Sequence, residues 1–311
     1  MGNGSHTSRI ERTHRRNGLL FTLPALLGLA GFTLYPMAAS LYYSFCRYTG
    51  LKPPVWTGLS NYFHMLHDPM LRTALWNTFY YTAFAVPLGV ATAFFLAVLL
   101  NARVRGLAFF RTIFYLPSIV PVVASSVLWL WLLNPENGLI NAIIDGVGRL
   151  LPRLGLPAIT GPGWLADPVW SKPALILMST WGVGAWVIIY LAGLQDVPQE
   201  LYEAASLDGA SNWQKTRHVT MPFMSPYIFF TVVMGVIGGL QYFTQAWVMT
   251  RGTGGPVNST MMYSMYLFQN AFQFFKMGYA CALAWLLFVL IMGATLLIFR
   301  TSARYVYYGG R

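Results

Sequence analysis

The sequence predicts an all-α integral membrane protein that crosses the bilayer six times, and three observations carry that prediction. The first is composition: of 311 residues, 56% are hydrophobic and only 9% are charged, against roughly 25% charged residues in a soluble domain. The mean hydropathy is +0.52. The second is a set of six apolar runs, each near or above the roughly 20 residues that a helix needs to span a hydrocarbon core of about 30 Å. The third is the absence of charge within them. No run holds an acidic residue or a lysine, and Arg111 lies near the end of its run.

In chain order the predicted spans are Leu19–Phe45, Leu75–Leu100, Leu107–Leu133, Pro173–Leu194, Pro226–Thr250 and Gly278–Phe299. They are read as helices because lipid offers no partner for open backbone groups. Pro36, Pro87, Pro117 and Pro121 fall inside spans, where kinks are expected to be supported by neighbouring helices. The first run follows four arginines and ends near small residues Ala38, Ala39 and Ser40. It is far longer than the 7–15 apolar residues of a signal peptide, so it is read as an uncleaved anchor. Between spans three and four, Ile140, Ile143, Ile144, Val147, Leu150 and Leu151 recur at helical spacing and predict an amphipathic helix at the membrane interface. Gly235 and Gly239 form a small-xxx-small pair, the pattern of a close helix contact.

An even number of spans puts both termini on one side. That side holds four Lys+Arg in residues 1–18, three in 101–111, two in 196–224 and three in 300–311, against eight in the intervening loops. The excess predicts cytoplasmic termini. The chain is thus divided into a cytoplasmic tail 1–18, a six-span domain 19–300 with a cytoplasmic loop 196–224, and a cytoplasmic tail 301–311. The net charge of +11 lies between the runs and at the two ends, where it meets anionic headgroups rather than nucleic acid. Cys46 and Cys281 support no disulfide framework. His64 and His67 are spaced i, i+3 without a third ligand, so no metal site is expected.

Proton and ion relays use intramembrane Asp, Glu or His, and their absence lowers the case for a secondary transporter and for a strongly charged solute. The polar residues within the spans are instead amides, hydroxyls and aromatics, among them Thr78, Trp181, Tyr190 and Thr244. A pathway for a neutral, hydroxyl-rich solute is expected to use Asn77, Tyr81, Gln241, Tyr242, Gln245 and Trp247. Span five is the best candidate, because Gln241 and Gln245 fall one turn apart on a helix. Each residue also has a structural alternative, as interface anchor or interhelical hydrogen-bonding group.

Between spans four and five, residues 196–222 are polar. Pro198 opens a helix that runs through Glu203, Ala204 and Ala205, Gly209 permits a turn, and Ser211 caps a second short helix. Pro222 and Pro226 mark entry into span five. This stretch resembles the signature loop of binding-protein-dependent ABC importer permeases through Glu203-Ala204-Ala205, Asp208-Gly209-Ala210 and Pro222. Thr216 and Met221 depart from the Phe and Leu that the family often has, which puts packing of the second helix in doubt. Residues 110–117, 131–141, 254–260 and 275–280 are similar to the sugar branch of that family, and within it to the first permease subunit of maltose-, lactose- or glycerol-3-phosphate-type systems.

The resemblance implies a coupling helix formed by Glu203, Ala204, Ala205, Asp208, Gly209, Ala210 and Pro222, seated on an ATPase subunit. It implies a second homologous permease, two ATP-binding subunits, an extracellular solute-binding protein, and the cytoplasmic membrane of a bacterium or archaeon. This chain is expected to bind no cofactor, ATP and magnesium belonging to the partner subunits. No phosphate-cradling Gly-Lys-Ser/Thr loop occurs in it, so it is read as a transport subunit and not an enzyme. Two alternatives remain at this level: a membrane-embedded enzyme acting on a lipid-linked sugar, and an ATP-independent transporter or channel. The first would need clustered ionisable groups, and Asp145, Asp167 and Asp196 form no evident cluster in sequence.

Overall fold

A computed structural model describes residues 4–101, 106–302 and 306–307. The ends of both predicted tails, with Arg103 and Arg105, lie outside the described residues. The chain forms α1 (Gly4–Leu29), α2 (Tyr35–Ser44), a two-stranded antiparallel ladder of β1 (Cys46–Arg47) and β2 (Val55–Trp56), α3 (Ser60–Leu66) and α4 (Pro69–Leu100). It continues with α5 (Leu107–Ile119), α6 (Val122–Leu132), α7 (Leu139–Leu150), α8 (Pro168–Trp181), α9 (Gly184–Gln195) and α10 (Gln199–Leu207). The last elements are α11 (Asn212–Lys215), α12 (Met221–Leu240), α13 (Thr244–Thr250), α14 (Tyr263–Phe268) and α15 (Met277–Ser302).

Among the described residues, four continuous helical stretches are long and apolar enough to cross a membrane: His14–Ser44, Pro69–Leu100, Asn212–Leu240 and Met277–Ser302. Two more candidates are bent pairs, α5 with α6 at 101° and α8 with α9 at 46°. The predicted third span is therefore not one rod. Val120 is extended (φ −65°, ψ 129°) ahead of Pro121, as the steric clash of a proline ring with the preceding residue demands. Pro121 then starts α6. The fourth bends at Gly182–Val183.

Two other prolines are absorbed without a break. A π-turn at Ala30–Leu34 precedes Pro36, and one at Thr216–Thr220 precedes Pro222. A proline four residues after a helical carbonyl lacks the N–H to meet it and clashes with it. Each π-turn holds that carbonyl, of Phe32 or His218, in a widened turn closed by an i→i−5 bond, Tyr35 to Ala30 and Met221 to Thr216. Pro222 consequently does not start a new helix. The helix runs on from Asn212, and of the two departures Thr216 opens this π-turn and Met221 follows it, its amide closing the turn.

The predicted span Pro226–Thr250 needs a second correction. α12 ends at Leu240, residues Gln241–Phe243 are non-helical, and α13 begins afresh at Thr244. Gln241 and Gln245 are thus not one turn apart on a single helix. Adjacent Gly238 and Gly239 weaken the helix just before the break.

The chain divides into two compact units. In residues 1–67 with 269–286, the strand ladder is fastened to the end of α2 by the Asn61 side-chain amide, which donates to the carbonyls of Ser44 (2.8 Å) and Cys46 (3.0 Å). Cys46 is buried and both cysteines are free. His64 packs edge-on against Tyr279 and His67 lies against the Phe63 carbonyl. Gly278 passes so close to the Cys46 carbonyl that a Cβ would sit 2.0 Å from it.

In residues 68–268 with 287–311, α4 is the axis of packing, against α8, α9, α12 and α14. Its buried face is a stripe of small residues, Ala74, Thr78, Ala85, Gly89, Ala93 and Ala97, which lets helices approach closely where lipid supplies no hydrophobic drive. Gly239 meets Thr82 and Gly235 meets Val86 across the α4–α12 contact, the close helix contact expected of the pair. The predicted amphipathic helix is α7. Its Asn141 is buried, donating to the carbonyls of Pro135 and Pro162 and accepting from Trp164 Nε1 at 2.7 Å, while Leu139, Ile143, Val147 and Leu150 stay exposed.

Candidate functional site

The break after Leu240 turns Tyr242 inward, where its ring stacks on Tyr81 of α4 at 4.0 Å between centroids. Beside this pair lies a cavity of about 210 Å³. Its aromatic and polar wall is formed by Tyr81, Tyr242, Gln245, Ser179 and Trp186; glycines, among them Gly238, and the apolar Ala85, Val86, Val183 and Met234 form the rest of the lining. The glycines leave room, since a Cβ on Gly238 would meet nothing within 4 Å. The Tyr242 hydroxyl is buried and forms no well-aligned hydrogen bond among the described residues; the Tyr81 hydroxyl is the polar group that interacts with it. A buried hydroxyl so poorly satisfied costs up to about 1–3 kcal/mol.

Three of the six expected pathway residues, Tyr81, Tyr242 and Gln245, are thus brought together. The other three lie elsewhere. Asn77 is buried on α4 and its amide donates to the carbonyls of Asn258 (2.8 Å) and Met261 (3.1 Å), while its oxygen accepts from Lys172 at 3.3 Å. It holds the chain that follows α13. Trp247 packs on Phe243 and Phe268 and covers Gly252. Gln241 is exposed at the end of α12. Of the wider polar set, Thr78 accepts from the Tyr263 amide (2.8 Å), Tyr190 meets the Thr231 hydroxyl, and Trp181 packs edge-on to Trp129. Ser179, Trp186 and Gly238 were missed by sequence reasoning. The signal that could have found them is the glycine interruption of two apolar runs, at Gly182 and at Gly238-Gly239.

The loop before α12 is a helical hairpin. Gly209 sits at φ +74° and terminates α10 with two bonds, its own amide to the Ser206 carbonyl (3.1 Å) and the Ala210 amide to that of Ala205 (2.9 Å). This glycine-terminated cap satisfies carbonyls that a helix end leaves open. Ser211 follows as N-cap of α11 in a reciprocal capping box with Gln214. Two cross-links fix the hairpin, Lys215 Nζ to Ser206 Oγ (2.8 Å) and the Tyr202 hydroxyl to Thr220 Oγ1 (2.9 Å). Glu203, Ala204, Asp208 and Gly209 are exposed, Ala205, Ala210 and Pro222 half-buried. The hairpin also presents Leu207, 90% exposed, and Trp213, 69% exposed. Neither was singled out from sequence, although an aromatic in so polar a stretch was the available signal.

The carboxylates that an embedded enzyme would need are dispersed and occupied. Asp145 accepts from the Gly161 amide, Asp167 caps α8 through the Val169 amide, and Asp196 accepts from the Tyr227 hydroxyl. Bent apolar helices around a small, uncharged cavity with a few polar groups in its wall, and a capped hairpin leading into one of them, fit a multi-pass membrane permease. Residues 85–306 match the binding-protein-dependent transport system inner membrane component, and the chain belongs to that family, the inner-membrane permease subunits of ABC importers. The probable ABC transporter permease protein YesP of Bacillus subtilis is 39% identical over 99% of this chain and 98% of its own. The lactose transport system permease protein LacF of Rhizobium radiobacter is 34% identical over 91% of this chain and 93% of its own. A chain from the crystal structure of a bacterial alginate ABC transporter in complex with alginate pentasaccharide-bound periplasmic protein shares the fold. Its TM-score is 0.75 at 22% identity, covering 95% of this chain and 98% of that one.

Proposed function

We propose that this chain crosses the cytoplasmic membrane of a bacterium or archaeon six times, each bent helix pair counting as one span, with both termini in the cytoplasm. In this reading it pairs with a second homologous permease to carry a sugar or related neutral polar solute, delivered by an extracellular binding protein. Two cytoplasmic ATPase subunits, which hold ATP and magnesium, drive the cycle. Support for the orientation is the arginine excess on the side of the termini. Support for the solute class is the uncharged, aromatic and amide-lined cavity, together with a relative named for lactose transport.

The observation that carries the proposal is the hairpin of α10 and α11. Glu203, Ala204 and Ala205 lie on a short helix whose end is locked by Gly209 and whose successor is continuous with α12. A push on α10 is therefore transmitted through the capped turn and the two cross-links into a spanning helix, without a flexible linker between. Asp208 and Ala210 flank the pivot, and Pro222 lies where the π-turn passes into α12. Small alanines permit close approach to a groove, Glu203 supplies polar contact, and Leu207 and Trp213 supply apolar anchors. Tyr81, Tyr242 and Gln245 would contact the solute by ring stacking and hydrogen bonds.

The test is to purify the tagged chain with its co-expressed neighbours and reconstitute it in vesicles. The expected result is co-purification of an ATPase and a second permease, with ATP hydrolysis stimulated by binding protein plus sugar. Uptake that persists without the ATPase subunit would overturn it.

A further inference from the structure

Antiparallel neighbours α5 and α9 border a second cavity, a trough of about 430 Å³ that shares no lining residue with the Tyr242 cavity and differs from it in chemistry. Its polarity is graded along its length. Arg111, Thr112 and Gln195 gather beside Leu100 at one end, and Leu116, Ile119, Val187 and Ile188 line the remainder. Gly184 lets the helices close at the apolar end, where a Cβ would lie 2.7 Å from the Phe114 carbonyl.

Arg111 is incompletely satisfied. Its Nη2 donates to the Leu100 carbonyl at 3.2 Å, while its Nε is buried without a partner. Among the described residues no carboxylate neutralises it. An arginine in a membrane segment is costly and ordinarily paired. A trough with an unneutralised guanidinium at one end and aliphatic walls beyond is complementary to an anionic amphiphile. Arg103 and Arg105 shortly precede it in the sequence, and basic pockets between spanning helices hold anionic lipid headgroups.

We propose that this trough binds an anionic glycerophospholipid, with its phosphate on Arg111 and an acyl chain along Leu116, Ile119 and Ile188. Assignment to the inner leaflet rests on the orientation proposed above; the binding itself does not. A helix of a second, homologous permease fits this surface less well if its spans, like those of this chain, hold no carboxylate to meet Arg111.

The full chain with its co-expressed subunits is incorporated in phosphatidylcholine–phosphatidylglycerol nanodiscs, released into detergent, and its retained lipid is measured by native mass spectrometry. Wild type is expected to retain phosphatidylglycerol in preference to phosphatidylcholine. Arg111→Gln lowers that retention about fivefold, the factor equivalent to ~1 kcal/mol per basic residue at an anionic surface, and Arg111→Lys keeps most of it. Ala192→Trp, which fills the trough and leaves the charge in place, lowers it likewise, and unfolding midpoints close to wild type show that both variants fold. Equal phosphatidylglycerol retention in wild type, Arg111→Gln and Ala192→Trp overturns the proposal. So does a photo-crosslinker at Ile188 that captures another permease chain instead of lipid. Selective retention in a protein whose termini prove extracellular would refute the orientation alone.

Discussion

Replacing Gly209 separates two reasons for a glycine at the pivot of the hairpin. Its φ is +74°, and a Cβ built there meets nothing within 4 Å. The chain itself therefore offers no steric objection to a side chain, and the cost is that of the left-handed backbone alone. That cost is about 1–2 kcal/mol for an ordinary L-residue, with β-branched residues worst and asparagine least affected. If the cap must be intact for α10 to engage the ATPase subunit, a loss of ~1 kcal/mol lowers the engaged population about fivefold. Gly209→Asn, Gly209→Ala and Gly209→Val should therefore form a descending series in that order. The assay is ATP hydrolysis stimulated by binding protein and sugar in the reconstituted complex, with complex yield recorded alongside. Asparagine is larger than alanine, so an order that follows size, with Asn below Ala, would refute the backbone argument and mean that the partner's surface demands the missing side chain. Full activity of Gly209→Val would remove the hairpin from the coupling path.

Tyr242→Phe should leave the thermal unfolding midpoint close to unchanged, because it deletes a buried hydroxyl that has no well-aligned hydrogen bond. The same variant should raise the apparent KM for solute severalfold; an unaltered KM would separate the hydroxyl from the pathway. Trp213→Ala should not alter the stability of the chain, since the indole is 69% exposed, yet it should weaken ATPase association by about 2 kcal/mol, an anchor-sized loss, read as subunit dissociation on dilution. Gly239→Leu should destabilise the chain by about 1–3 kcal/mol, because its Cβ would lie 2.8 Å from Thr82 Oγ1. Gly238→Leu points into the cavity instead and should block transport at near wild-type stability; equal melting losses at both glycines would contradict the packing described for α4 and α12.

Membrane residence, helical class and the location of the apolar runs were legible in the sequence, because each follows from local composition and length. The hairpin was legible almost to the residue. Pro198, Gly209 and Ser211 act through the conformational limits of their own backbone and the nearest amides, and these operate within a few residues. The close contact of Gly235 and Gly239 was legible for a similar reason, as small residues at one-turn spacing have few other uses in a spanning helix.

The lining of the cavity was only half legible. Gln241 and Gln245 look like successive turns of one helix until the chain breaks between them, and that break is held by packing of Tyr242 on Tyr81, more than 150 residues away in sequence. Asn77 has the chemistry of a solute ligand, but its amide is held by carbonyls of Asn258 and Met261 and it does not line the Tyr242 cavity. Proline effects divide in the same way. Sequence marks where a helix must adjust, whereas its surroundings decide whether the adjustment is a π-turn, as before Pro36 and Pro222, or a 101° bend, as at Pro121. What the sequence by itself determined was therefore every property set by hydropathy and local backbone preference. Which polar side chains face a cavity and which bond to neighbouring backbone was decided only by the tertiary structure, because a buried amide or hydroxyl takes whatever partner the folded chain brings within about 3 Å.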